Sequence, residues 1–210
     1  TTRSAGILGL GTFLPEGVLT NADLEATVDT SDQWIMERTG IRRRHIAGSG
    51  ETASTLGAEA ARRALEAAGN PRIDALICAT CSPDTLFPST SCLIQRTLGL
   101  SGVPAFDLDA ACSGFLYALT VAEGLIAAGT AERVLVIGTE AMTSLVDFGD
   151  RTTCVLFGDG AGAAVIGAVD GGGIKARRWG AEGGDAALIY YGPPPGGDGT
   201  EADRLRMAGK

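Results

Sequence analysis

Ala105-Phe106-Asp107-Leu108-Asp109-Ala110-Ala111-Cys112-Ser113-Gly114-Phe115-Leu116-Tyr117-Ala118-Leu119 begins as one kind of element and ends as another. Residues 105–109 read as a short strand and 112–128 as a long helix, joined through small residues that permit a sharp turn. That helix carries one charged residue, Glu123. A helix apolar nearly all round is covered on more than one side, which places it in the middle of a layered architecture. Outward from this unit the same alternation continues. Residues 5–10, 75–80 and 133–139 are apolar strand-like runs, and 161–169 is a further one. Helices are expected over 53–68 and 89–98. Strand, helix, strand, helix in this order specifies the α/β class with a mostly parallel sheet, because each helix returns the chain to start a neighbouring strand.

Local signals sharpen the boundaries. The 53–68 helix sets Leu56, Ala60, Ala64 and Ala68 on one face. Gly69-Asn70-Pro71 then stops it with a C′ glycine followed by proline. Short helices with polar N-caps are expected at 21–24 and 31–38. Residues 183–199 are turn-rich and read as a long surface loop. Residues 204–210 read as the beginning of a further element.

Composition narrows the function. The 210 residues carry 17 Lys+Arg against 25 Asp+Glu, a formal net charge of -8, which disfavours nucleic acid as a main partner. Glycine, at 31 residues, is about twice its usual ~7% share. It has no collagen period, so it marks tight turns and close backbone approaches. Five cysteines form an odd count that does not read as a disulfide framework. No uninterrupted apolar run reaches membrane-spanning length. The first residues lack the build of a signal peptide, and the cytoplasm is the expected location. The chain has one histidine, His45.

Cys112 is the candidate nucleophile. A thiol at a helix N-terminus meets the positive end of the macrodipole and free backbone N–H groups, both of which favour thiolate. A small buried core cysteine suits the same pattern, and spacing alone leaves both readings open. Cys78 and Cys81 form a C-x-x-C pair. On a strand, however, i and i+3 point to opposite faces, and no second pair completes a metal site. These two, with Cys92 and Cys154, are read as packing residues. The Gly158-Asp159-Gly160-Ala161-Gly162-Ala163 run does not complete a dinucleotide fingerprint and is read as crowding at a central sheet. Arg42-Arg43-Arg44-His45 is read as a solvated turn with its arginines in surface ion pairs. Asp107 and Asp109 are read as structural. Trp34, taken alone, reads as a half-buried helix anchor. The alternative is a platform for a ligand base, with Arg38 on a phosphate.

Several motifs then carry a resemblance. Asn21-Ala22-Asp23-Leu24, Asp29-Thr30-Ser31-Asp32 with Trp34-Ile35, and Arg38-Thr39-Gly40-Ile41-Arg42 come first. Phe87-Pro88-Ser89, Ala105-Phe106-Asp107, Asp109-Ala110-Ala111-Cys112-Ser113-Gly114-Phe115 and Phe157-Gly158-Asp159-Gly160-Ala161-Gly162-Ala163 follow in order. From about residue 5 to Lys210 the chain resembles the β-ketoacyl-[acyl-carrier-protein] synthase III family of the thiolase superfamily. The resemblance implies a layered αβαβα thiolase-like fold. Its first half would be complete over 1–170 and its second half only begun over 171–210, with the chain stopping at the start of that half's first helix.

By the same resemblance Cys112 accepts an acyl group from acyl-CoA and passes it to the carbanion of malonyl-acyl-carrier protein, starting fatty acid synthesis. Trp34 and Arg151 would hold the CoA adenine, with Thr30 and Arg38 nearby and Gly209 beside the pantetheine arm. Phe87 would reach across a homodimer into the partner's acyl pocket, and Leu156, Phe157 and Leu205 would line that pocket. No metal or cofactor is implied, acyl-CoA being a substrate. Thr152 follows Arg151 where the family often has glycine. The family's catalytic His and Asn, and its oxyanion-hole glycine segment, belong to the second half and not to these 210 residues. His45 matches a non-catalytic histidine. A thiolase-superfamily acyltransferase with another acceptor, and a non-catalytic acyl-CoA-binding fragment, are the competing readings.

Overall fold

A computed structural model describes residues 4–193 and 203–208. The chain divides into two compact units. The first comprises residues 1–14, 50–140 and 160–179, the second 15–49, 141–159 and 180–210.

The first unit is built on a five-stranded sheet. Its strands are β1 (Ser4–Phe13), β4 (Ala75–Ala79), β5 (Ala105–Leu108), β6 (Arg133–Ala141) and β7 (Asp159–Val169), in the order β1-β7-β6-β4-β5. β4 runs parallel to both β5 and β6, whereas β1 pairs antiparallel with β7. The expected mostly parallel sheet is therefore mixed. β1 does not neighbour the strand that follows its helix; it takes its place at the edge beside β7, which arrives much later in the chain.

Period-two alternation sends each strand's apolar residues to both faces. Leu76, Cys78, Leu135, Ile137 and Val165 pack on one face against Leu56, Ala60 and Ala64 of helix α3 (Ala53–Ala67) and Ile94 of helix α4 (Thr90–Leu98). Ile77, Val134, Val136, Ala164 and Ile166 pack on the other against Ala118, Ala122 and Ile126 of helix α5 (Gly114–Ala127). Sheet with helices on both faces is the arrangement that the thiolase-like reading requires of its first half.

Close approach explains the glycines on β1. A Cβ at Gly11 would stand 2.2 Å from the Ala60 carbonyl oxygen, and one at Gly9 would stand 2.6 Å from that of Ala64. Helix α3 thus lies backbone to backbone on the strand, through its alanine face. On the other side, a Cβ at Gly114 would meet that of Ala79 at 3.1 Å, so the start of α5 sits directly over the end of β4.

Helix α5 was expected to be covered on more than one side. It buries one stripe, Gly114, Ala118, Ala122 and Ile126, while Leu116 is 62% exposed. Residues 174–179 run beside it. Trp179 meets Tyr117 edge-on at 4.9 Å, and Arg177 pairs with Glu123 at 2.5 Å.

The second unit contains strands β2 (Gly17–Thr20) and β3 (Arg43–Ile46), which pair antiparallel, and helices α1 (Asn21–Glu25), α2 (Asp32–Thr39) and α6 (Arg151–Cys154). Two further short strands, β8 (Ile189–Tyr191) and β9 (Leu205–Met207), also pair antiparallel. This corrects two expectations, since part of the 183–199 loop is strand and residues 205–207 begin no helix. The core here joins Leu24, Ile35, Cys154 and Val155.

The Arg42–His45 run is likewise not a solvated turn. Arg43 to Ile46 form a strand, and Arg44 is 3% exposed. Its guanidinium donates to Asn21 Oδ1 and to the Val155 carbonyl. Burial lowers the pKa of Arg44 from its ordinary value, and the two oxygens to which it donates are neutral. Among the described residues no helix is long and apolar enough to cross a membrane.

Candidate active site

Strand β5 ends at Leu108, and the chain turns through the 3-10 segment Ala111–Ser113 into α5. Helix α5 therefore begins two residues later than the sequence suggested, leaving Cys112 on the turn that precedes it. Ala111 holds φ at +43°, a left-handed conformation uncommon for any residue with a Cβ. Cys112 is exposed, so the core-packing reading of this cysteine does not describe its position. Ser113, the N-cap of α5, makes no side-chain capping bond. An accessible thiol thus stands where the leading amides of a long helix emerge without a side-chain acceptor, a setting suited to attack on a carbonyl.

Asp107 is structural, as expected. Asp107 accepts from the backbone N–H groups of Thr90 and Ser91 at 2.7 and 2.8 Å, tying β5 to the start of α4. Cys78 is fully buried and Cys154 is buried in the other unit, while Cys92 is partly buried. Cys81 departs from the packing expectation because it is exposed. Its thiol donates to Glu140 Oε1 at 3.2 Å, and the same oxygen accepts from its backbone N–H at 2.9 Å. Local burial of the sulfur and the Glu140 carboxylate push this thiol up to about 12. Phe87 in the same unit is 82% exposed, beside Leu86 at 89%.

In the second unit, Ser31 caps α2 by accepting from the Trp34 N–H at 3.1 Å. Trp34 packs one side against the Leu24–Ile35–Cys154–Val155 core, as an anchor should. Its ring also carries two guanidinium groups, Arg38 at 4.8 Å and Arg151 at 4.7 Å from the centroid. Arg151, the first residue of α6, donates to the Asp29 carbonyl at 2.9 Å. Trp34, Thr39, Arg151, Thr152, Val155, Leu156 and Met207 line one cavity of about 110 Å³. Trp34 is therefore both a helix anchor and a cavity wall.

Leu156 faces that cavity, Phe157 follows it partly buried, and Leu205 is buried with its N–H on the Leu145 carbonyl at 2.9 Å. The Thr30 hydroxyl is buried without a hydrogen-bond partner. Gly209 lies outside the described residues. His45 Nδ1 lies 2.6 Å from the Pro15 carbonyl oxygen, which ties it to the backbone of its own unit. Sequence reading missed Met207 and Thr39 as cavity residues. Met207 reaches its place through the β8–β9 pairing, whose three-residue strands show no readable period in the sequence.

Residues 106–183 match the family described as 3-Oxoacyl-[acyl-carrier-protein (ACP)] synthase III. The β-ketoacyl-[acyl-carrier-protein] synthase III of Rhizorhabdus wittichii is 50% identical over 99% of this chain and 66% of its own length. That of Novosphingobium aromaticivorans is 52% identical over 97% of this chain and 65% of its own. The crystal structure of 3-oxoacyl-[acyl-carrier-protein] synthase III from Aquifex aeolicus superimposes with a TM-score of 0.89 at 46% identity, over 97% of this chain and 64% of that one. The chain thus spans 65–66% of the length of these curated relatives.

Proposed function

Since the chain belongs to the β-ketoacyl-[acyl-carrier-protein] synthase III family, we propose that it carries the acyl-loading half of a ketoacyl synthase reaction, with Cys112 as nucleophile. The observation that carries this reading is the exposed thiol on a strained turn at the mouth of an uncapped 14-residue helix. The Cys112 thiolate attacks the thioester carbonyl of acyl-CoA, the tetrahedral adduct collapses, and CoA leaves as its thiolate. The acyl group remains on Cys112 as a thioester. In the second half-reaction, loss of CO2 from malonyl-acyl-carrier protein leaves a carbanion that takes the acyl group and regenerates the thiol. Covalent catalysis thereby divides one difficult condensation into two easier steps.

Trp34 is proposed to stack the CoA adenine together with Arg151, while Arg38 and Thr30 contribute polar contacts. Leu156, Phe157 and Leu205 are proposed to face the acyl chain, and Gly209 the pantetheine arm. A second copy of the chain is the proposed partner of the Leu86-Phe87 tip, because two adjacent apolar side chains over four-fifths exposed are costly in water. The family's His and Asn act on malonyl-acyl-carrier protein and are not among these 210 residues, whose one histidine is His45.

The test is transfer of radioactive acetyl groups from acetyl-CoA to the protein. Label is expected on wild type and lost in Cys112→Ala. Undiminished label in that variant would remove Cys112 as the nucleophile.

A further inference from the structure

Of the five cysteines, two are exposed, Cys81 and Cys112, and the fold brings them to the same end of the sheet. β4 and β5 are adjacent parallel strands, with Ala79 in register with Leu108. Cys81 lies two residues beyond Ala79, and Cys112 four beyond Leu108. Neighbouring strands run about 4.8 Å apart, so the two cysteines follow adjoining strand ends. The chain does not splay after leaving β5. It turns back over β4, so that Gly114, two residues past Cys112, sits against Ala79, with a Cβ separation of 3.1 Å were it alanine. Cys81 is held in place from the other side by Glu140 at the end of β6.

We propose that Cys81 and Cys112 form an oxidisable dithiol, in which a hydroperoxide oxidises Cys112 and Cys81 captures it as a disulfide. In the first step the Cys112 thiolate attacks hydrogen peroxide, giving Cys112 sulfenic acid and hydroxide. In the second step the Cys81 sulfur attacks the sulfenic sulfur. The S–S bond forms, the S–O bond breaks, and the departing hydroxyl leaves as water with the proton that Cys81 releases. Sulfur is oxidised by two electrons overall and the peroxide is reduced to two molecules of water. Glu140 Oε1, already accepting the Cys81 S–H, is the group positioned to take that proton and pass it on. Charge on Cys112 is one of the causes that raise the Cys81 pKa, so the two sulfurs lie within electrostatic reach of each other. The disulfide blocks Cys112 reversibly and withholds it from sulfinic acid, which ordinary thiols do not reverse. This inference requires two thiols and a hydroperoxide, and does not depend on acyl transfer.

The experiment treats the folded, purified protein with hydrogen peroxide, alkylates the remaining thiols, digests with trypsin and weighs the peptides. Cleavage after Arg72, Arg96 and Arg133 places Cys81 in one peptide and Cys112 alone in the next. A link between these two peptides is expected, released by dithiothreitol, with the intact protein lighter by about 2 Da. Fragment ions assign it to Cys81. In Cys81→Ser the link is absent and Cys112 sulfinic acid accumulates several-fold faster. Failure to find the link in wild type, its persistence in Cys81→Ser through Cys78 or Cys92, or equal sulfinic acid in both proteins overturns the proposal. Acetyl labelling of Cys112 is read on a separate sample, so loss of one result leaves the other interpretable.

Discussion

The guanidinium carbon of Arg151 lies 4.7 Å from the centroid of the Trp34 ring. Arg38 approaches the same ring at 4.8 Å, so the indole is cation-covered in the protein alone. Cation–π contacts of this kind contribute about 0.5–1 kcal/mol each at exposed sites. They hold the Trp34 platform in place against its core before any ligand arrives.

If that platform stacks adenine, Trp34→Ala raises the acetyl-CoA concentration needed for half-maximal loading of Cys112 by about tenfold, or about 1.4 kcal/mol. Acetyl-pantetheine, which lacks the nucleotide, is expected to load the variant and wild type alike. Equal losses with both donors would place the effect of Trp34 in folding and not in nucleotide binding.

Gly11→Ala is expected to destabilise the first unit by about 2–4 kcal/mol, read from urea unfolding. The added methyl would stand 2.2 Å from the Ala60 carbonyl oxygen, and backbone on both sides has nowhere to move. Gly162→Ala on β7 is the control. A Cβ there meets nothing within 4 Å, and its stability should stay within about 1 kcal/mol of wild type.

Arg44→Ala removes the donor shared by Asn21 Oδ1 and the Val155 carbonyl, and leaves both acceptors in a buried setting. A loss of about 2–4 kcal/mol follows. Arg44→Lys should recover only part of it, because one ammonium cannot reproduce the planar fork. Full rescue by lysine in thermal unfolding would contradict the forked geometry.

The Cys81 thiol, pushed up to about 12 by burial and by Glu140, should resist iodoacetamide through neutral pH and react only as the solution approaches that value. The reactive species is the thiolate, so the alkylation rate rises with pH and reaches half its plateau near the pKa. Glu140→Gln removes the repelling charge and should move the midpoint downward. A mass-spectrometric time course in a Cys112→Ala background measures it. An unchanged midpoint would leave burial, with the charge of Asp109, as the cause.

The alternation of elements was legible because each strand carries apolar residues for two helix layers. β4, buried along its whole length, and β6 stand where the apolar runs lie. The end of α3 was marked by Gly69, whose positive φ suits a position just past a helix, whereas the caps Thr52, Ser89 and Gly99 emerge from the structure. The β2–β3 pair was not legible. Arg43 and Arg44 look solvent-bound by composition, and only strand pairing with Leu19 and Thr20 turns one of them inward. The β8–β9 pair escaped for a related reason, since three-residue strands hold too little periodicity to register.

Order along the chain was enough to identify a small-residue turn presenting a cysteine before a long apolar helix, and glycines where backbones meet. Those features depend on neighbours a few residues away, and local sterics write them into local residue choice. The two guanidiniums on Trp34, the inward turn of Arg44 and the carboxylate beside Cys81 arise otherwise. Arg151 is 117 positions from Trp34, Val155 is 111 from Arg44, and Glu140 is 59 from Cys81. Contacts at such separations follow no period, so folding alone sets which charge stands beside which group.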